Sequence, residues 1–163
     1  MINIVAEIGG NHMGSVDNAL RMIKTAKSFC NCHAVKFQKR CNQSLLTENE
    51  YNEAHPVPEN SFGSTYGVHR EYLEFDSDVH KNLKTYCEKI GIVYSTSVWD
   101  TVSAQQILEL NPEYIKVPSA TNLNFQILSL LVDRYRGDIH LSLGMTTREE
   151  EDKIVSYFAK KNA

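Results

Sequence analysis

Apolar and polar positions change period along this chain in a regular way. Asn3–Ile8 (NIVAEI) is a short β-branched run closed by Gly9 and Gly10, and after Ser15 the residues Ala19, Met22, Ile23, Ala26 and Phe29 recur at helical spacing. His33–Gln38 (HAVKFQ) predicts a second strand. The stretch from Lys39 to Phe75, with Pro56, Pro58, Gly63 and Gly67, predicts a long irregular loop of the kind that usually carries function. The pattern then becomes regular. It predicts a helix over Asp76–Ile90, a strand over Ile92–Thr96, a helix over Thr101–Leu110 and a strand over Glu113–Val117. A helix over Leu123–Tyr135, a strand over Ile139–Leu143 and a helix over Thr147–Lys161 complete the series. Asp76 before an acidic first turn, and Thr147 with Glu150 three residues later, are capping signals.

Five strand–helix units in succession imply parallel strands joined by right-handed crossovers. Two α/β architectures satisfy that pattern. One is a complete flavodoxin-like open sheet with strand order 2-1-3-4-5. The other is the first part of a TIM-type (β/α)8 barrel, a fold that typically takes about 250 residues. Periodicity leaves both open.

At 163 residues the chain suits one domain, residues 1–163. The 17 basic and 20 acidic residues leave a net charge of −3, which supplies no basic face for nucleic acid. No stretch approaches the roughly 20 apolar residues that cross a membrane, and MINIVAEIGG, interrupted by Glu7, lacks the plan of a secretion leader. Four cysteines do not make a disulfide framework, so a cytoplasmic chain with reduced thiols is expected. Cys30-Asn31-Cys32-His33 departs from the usual zinc spacing and has no matching second pair, so no metal ligand is assigned within the chain.

In either architecture ligands bind at the carboxyl ends of the strands. Those ends carry Glu7 with Asn11 and His12, then Lys36 and Gln38, then Ser95 and Thr96, then Lys116 with Ser119, then Ser142 before Gly144. Two lysines inside parallel strands are the strongest of these signals, because both faces of such strands are normally buried and an unpaired ammonium there is costly. A small, multiply charged anion between them, with hydroxyls from Thr96, Ser119 and Ser142 adding hydrogen bonds, is the expected guest. The plainer alternative ties the lysines to carboxylates such as Glu7 in a structural network, leaves the hydroxyls as caps and turn formers, and makes His12 a hydrogen-bonded loop residue. Gly9-Gly10 does not make a dinucleotide fingerprint.

Six stretches in order, AEIGGNHMGS (Ala6–Ser15), VKFQ (Val35–Gln38), TYGVHREYLEF (Thr65–Phe75), YSTSVWD (Tyr94–Asp100), YIKVPSA (Tyr114–Ala120) and LSLGM (Leu141–Met145), resemble the sialic acid synthase family. Those enzymes join phosphoenolpyruvate to an N-acetylated amino-sugar aldehyde such as N-acetylmannosamine, giving a nonulosonic acid and phosphate. The resemblance implies the barrel, incomplete here at about five βα units, with a site at its C-terminal face. It implies phosphoenolpyruvate-holding roles for Lys36, Thr96, Lys116, Ser119 and Ser142, a sugar-facing role for Gln38, proton transfer for Glu7, and a place in the signature loop for Asn11 and His12. A divalent metal, Mn2+ or Mg2+, is implied for the intact enzyme, with ligands beyond residue 163, so the chain alone is expected to be inactive. Ala120-Thr121 stands where many members carry Gly-Glu, which implies a divergent subfamily. A homodimer or a partner chain would complete the barrel. The rival from another class is a non-catalytic barrel remnant that binds an anion or a partner chain.

Overall fold

The computed structural model describes residues 2–161. Its strands are β1 (Val5–Gly9), β2 (Ala34–Lys39), β3 (Val93–Val98), β4 (Tyr114–Val117) and β5 (Asp138–Leu141). Every neighbouring pair is parallel and the order across the sheet is β1-β2-β3-β4-β5. Chain order and spatial order therefore coincide. A flavodoxin-like sheet would pass its second strand outside the first, so that alternative is excluded, and the chain forms five consecutive strands of a TIM-type barrel wall.

The crossover helices are α1 (Val16–Ser28), α5 (Ser77–Ile90), α6 (Thr101–Leu110) and α7 (Phe125–Arg134), and α8 (Arg148–Lys161) follows β5. Side-chain oxygens satisfy their first free amides. Ser15 accepts from Asn18 N–H at 3.2 Å, Asp76 from Val79 at 2.8 Å and Asn124 from Gln126 at 3.1 Å. The capping pair expected at Thr147 and Glu150 is present, with contacts of 2.7 and 3.3 Å. α5 ends on Gly91 at φ 72°, a left-handed turn that glycine adopts without a Cβ penalty.

Helices cover one side of the sheet in two apolar clusters. Ala19, Ile23, Leu83 and Cys87 pack over Ile8, Val35, Phe37 and Tyr94, while Ala104, Ile107, Ile127, Leu128 and Leu131 pack over Val98, Ile115 and Val117. Successive strand residues point to opposite faces, so the alternate positions line the other side, the inner wall.

The expected irregular loop after β2 instead contains short helices. It holds α2 (Asn42–Leu45), α3 (Glu48–Asn52) and α4 (Tyr66–Tyr72), and α3 starts from a Thr47–Glu50 capping box. These helices have four to seven residues, too few for an apolar stripe to declare itself as a period. Tertiary ties fix them: a Cβ on Gly67 would fall 2.3 Å from the Tyr51 ring.

Asp100 shows how a cap can join elements. One carboxylate oxygen accepts from Ser103 N–H at 2.7 Å, while the other accepts from the Ser103 hydroxyl at 2.7 Å and from Cys41 N–H at 2.8 Å. Asp100→Ala removes the α6 cap and strands the Cys41 amide, so a loss of about 2 kcal/mol is expected in urea unfolding. A loss within a few tenths would show that water replaces the carboxylate.

Candidate active site

Strand pairing converts the sequence into two rows of side chains on the inner wall. Glu7 is opposite Lys36, Lys36 opposite Ser95, and Ser95 opposite Tyr114. One step toward the carboxyl ends, Gln38 is opposite Ser97, Ser97 opposite Lys116, and Lys116 opposite His140. Paired residues of a parallel ladder share a face, so both lysines stand on one wall.

Lys36 is buried, and its Nζ lies 2.7 Å from Glu7 Oε2 and donates to Ser97 Oγ at 3.1 Å. The Glu7 side chain itself remains 65% exposed. The ion pair considered as a structural alternative therefore exists, joining the buried Lys36 to the edge strand β1. Lys116 is half-buried, and no carboxylate pairs with it among the described residues. Burial first, and then the Lys36 ammonium, hold its pKa below the ordinary lysine range, with Glu7 acting in the opposite sense. The two cations share a wall with Glu7, and Asp138, opposite Tyr114 on β5, adds a second carboxylate to the Glu7 row; an anion beside Lys116 would relieve the repulsion between the two ammonium groups.

The neighbouring loops are locked in place. Ser142 N–H donates to Val117 O at 3.1 Å, and the buried Asn122 Nδ2 donates to Ser142 O at 2.9 Å. Ser119 lies against the next loop: a Cβ on Gly144 would stand 3.4 Å from its own Cβ. Gln38 reaches across to β1, where a Cβ on Gly9 would meet its Nε2 at 2.9 Å. Lys36, Lys116, Gln38, Ser119, Ser142 and Glu7 thus belong to one end of one wall and its loops.

Two expected site residues, Thr96 and His12, are placed otherwise. Thr96 is opposite Phe37, one position out of phase with Ser95 and Ser97, so its fully buried side chain faces the helices. The hydroxyl that meets Lys36 is that of Ser97. The His12 ring is buried and stacked on Phe75 at 3.9 Å between centroids, with Nδ1 accepting from Gly14 N–H at 3.1 Å. Burial, with the Arg40 charge second, lowers its pKa to about 4, so it is a neutral pillar of its loop. Asn11 turns its amide back to Ile8 O at 2.9 Å.

Ser97, Tyr114, Asn122 and His140 were not singled out by sequence. A strand-face assignment would have found the two on the Lys116 row, since Ser97 is two positions from Ser95 and His140 two from Ser142. Among the described residues no group of three or more His, Cys, Asp or Glu side chains could hold a metal ion, and no helix is long and apolar enough to cross a membrane.

Comparison with known proteins agrees with the barrel fold. The mouse N-acetylneuraminate-9-phosphate synthase is 38% identical over 156 residues, covering 93% of this chain and 41% of that protein. The Drosophila melanogaster protein of the same name is 34% identical over 154 residues, with 94% and 41% covered. The chain therefore spans about two fifths of the length of the curated relatives it matches. A crystal structure of N-acetylneuraminic acid (sialic acid) synthetase from Leptospira borgpetersenii, in complex with citrate, superposes with a TM-score of 0.81 at 25% identity over 99% of this chain and 51% of that one. A family model matches residues 22–163, which hold four of the five strands, and by that match the chain belongs to the NeuB family.

Proposed function

We propose that this chain supplies the phosphoenolpyruvate-holding wall of an enzyme that condenses phosphoenolpyruvate with an N-acetylated amino-sugar aldehyde, such as N-acetylmannosamine. The products are a nonulosonic (sialic) acid and phosphate. The observation that carries this reading is the wall itself, with Lys36 and Lys116 on adjacent rows, Ser97 on Lys36 and, among the described residues, no carboxylate paired with Lys116. Residues 1–163 are the N-terminal portion of the barrel, working in the cytoplasm, and the fuller length of the relatives supplies the rest of the site.

Lys36 and Lys116 offset the charge of the phosphate and carboxylate groups, and the hydroxyls of Ser119 and Ser142 complete the cradle. Holding the enol ester against the wall fixes the direction of C3, which forms the new carbon–carbon bond to the aldehyde. Water adds at C2 and loses a proton, the aldehyde oxygen gains one, and the C–O bond to phosphate breaks. Glu7, held by Lys36, is the carboxylate assigned to move that proton in this reading. Gln38, on the Ser97 row, faces the sugar. The family resemblance implies a divalent metal, Mn2+ or Mg2+, but the described residues do not form a set that fits one, and no step here is assigned to it.

Calorimetric titration of the chain with phosphoenolpyruvate tests this reading. The wild type should bind, and Lys36→Met or Lys116→Met should weaken binding about 10-fold or more, that is about 1.4 kcal/mol. A wild type that does not bind, or lysine variants that bind equally well, would overturn it. Because two of the relatives carry the name of a 9-phosphate synthase, the amino sugar should be offered both plain and phosphorylated in phosphate-release assays with the barrel complete.

A further inference from the structure

The inner wall carries one more group with unspent chemistry. His140 on β5 is opposite Lys116 in the ladder and two residues before Ser142, at the level of the phosphoenolpyruvate cradle proposed above. Its ring is exposed to the open face of the wall. It stacks on Tyr114 of the adjacent strand, with centroids 4.3 Å apart and planes 21° from parallel. That stack fixes the ring plane with aromatic faces alone and leaves both nitrogens uncommitted, since among the described residues neither takes part in a hydrogen bond.

A histidine in this setting differs from one that merely fills the lumen. The groups facing it from β4 are Lys116 and Tyr114, a cation and a phenol that burial holds in its neutral form. Neither is a carboxylate that would claim an imidazole N–H. On its own strand Asp138 lies two positions earlier on the same face, opposite Tyr114, so the uncommitted N–H joins the Lys116 ammonium on the row nearer the carboxyl ends of the strands.

We propose that His140 is a substrate-contacting residue of this site, donating a hydrogen bond to the phosphate or carboxylate of the anion that Lys36 and Lys116 hold. This rests on the reading of the wall as a phosphoenolpyruvate site. His140 adds direction to a cradle whose lysines act largely as point charges on flexible stems. Because a β5 side chain supplies the bond while Lys36 belongs to β2 and Lys116 to β4, the anion would be gripped from three strands of the wall.

The test uses His140→Phe, which keeps the ring stack on Tyr114 and removes both nitrogens, alongside His140→Gln, which keeps a donor on a side chain of similar reach. Calorimetric titration with phosphoenolpyruvate should show binding weakened about 10-fold in His140→Phe, the order expected for one hydrogen bond to a charged group, and largely restored in His140→Gln. Thermal unfolding should place both variants near the wild type, which separates a contact from a packing role. If Lys36→Met weakens binding while His140→Phe binds as the wild type does, the proposal falls and the phosphoenolpyruvate reading stands. If the wild type itself does not bind, both fall. Equal weakening in the Phe and Gln variants also overturns the proposal, because it assigns the effect to altered packing.

Discussion

Glu74→Ala is expected to destabilise the chain by about 3–5 kcal/mol, the range for removing one partner of a buried ion pair. Glu74 lies just beyond α4 and Arg40 just beyond β2, and their side chains are only 10% and 12% exposed. One Glu74 oxygen meets Arg40 Nε at 2.5 Å and the other accepts the Arg40 backbone N–H at 3.1 Å. The guanidinium also lies over the Trp99 ring, 5.6 Å from its centroid. Removing the carboxylate leaves a guanidinium in a low-dielectric setting, and it also strands an amide. The same change unties the insert of α2, α3 and α4 from the end of β2. The measurement is the urea midpoint of Glu74→Ala against the wild type. The double variant Arg40→Met/Glu74→Leu should recover much of the loss, because the penalty comes from the uncompensated charge. If the single variant loses less than about 1 kcal/mol, the pair behaves as a surface contact and its burial does not matter energetically.

This pair also marks where reading the chain by eye stops. The five strands and their crossover helices are legible because each is long enough to show its period, and because Gly and Pro punctuate them. The capping pair at Thr147 and Glu150 is legible because capping is local. Arg40–Glu74 spans 34 positions, and nothing in either residue's neighbourhood announces the other. The short helices of the insert fail for a related reason, since their stability comes from ties such as Tyr51 against Gly67 and not from their own periodicity.

Within the site, residue types at strand ends are a good guide and the faces of the strands are a better one. Lys36 and Lys116 share the inner wall. Thr96 was expected beside them on the strength of its position at a strand end, but a hydroxyl on the wrong parity of a strand points at the helices whatever its chemistry. The strand also runs two residues past Thr96 to Val98, so Ser97 remains within it and takes the place on the wall. The loop histidine followed the plainer reading, as a hydrogen-bonded ring packed on Phe75.

Acid should destabilise this fold well before its carboxylates are fully protonated, and His80 is the main reason. The ring is 1% exposed on the buried face of α5, with Phe37, Phe75 and Tyr94 around it. Nδ1 meets the Tyr94 hydroxyl at 2.6 Å, while Nε2 is buried with no partner among the described residues, so a proton placed there would have nothing among them to bond. Burial first, and then the charges of Lys39 and His12, lower the pKa to about 3, with Asp76 acting weakly the other way. The folded state therefore refuses a proton that the unfolded chain accepts near the ordinary histidine value. Stability is complete above about pH 6.5, falls as pH drops below it, and stops falling from this source once pH passes about 3. By about pH 4 the loss should reach about 3 kcal/mol from His80 alone. His12, lowered to about 4, adds to it in the same direction. His80→Gln keeps a hydrogen-bonding group toward Tyr94 and cannot titrate. It should be less stable than the wild type at neutral pH, yet its urea midpoint should depend less on pH between about 6.5 and 4, so that the two curves converge in acid. Parallel curves, or an NMR titration of the His80 ring with an ordinary midpoint, would show that the folded protein can charge this histidine and that the acid sensitivity lies elsewhere.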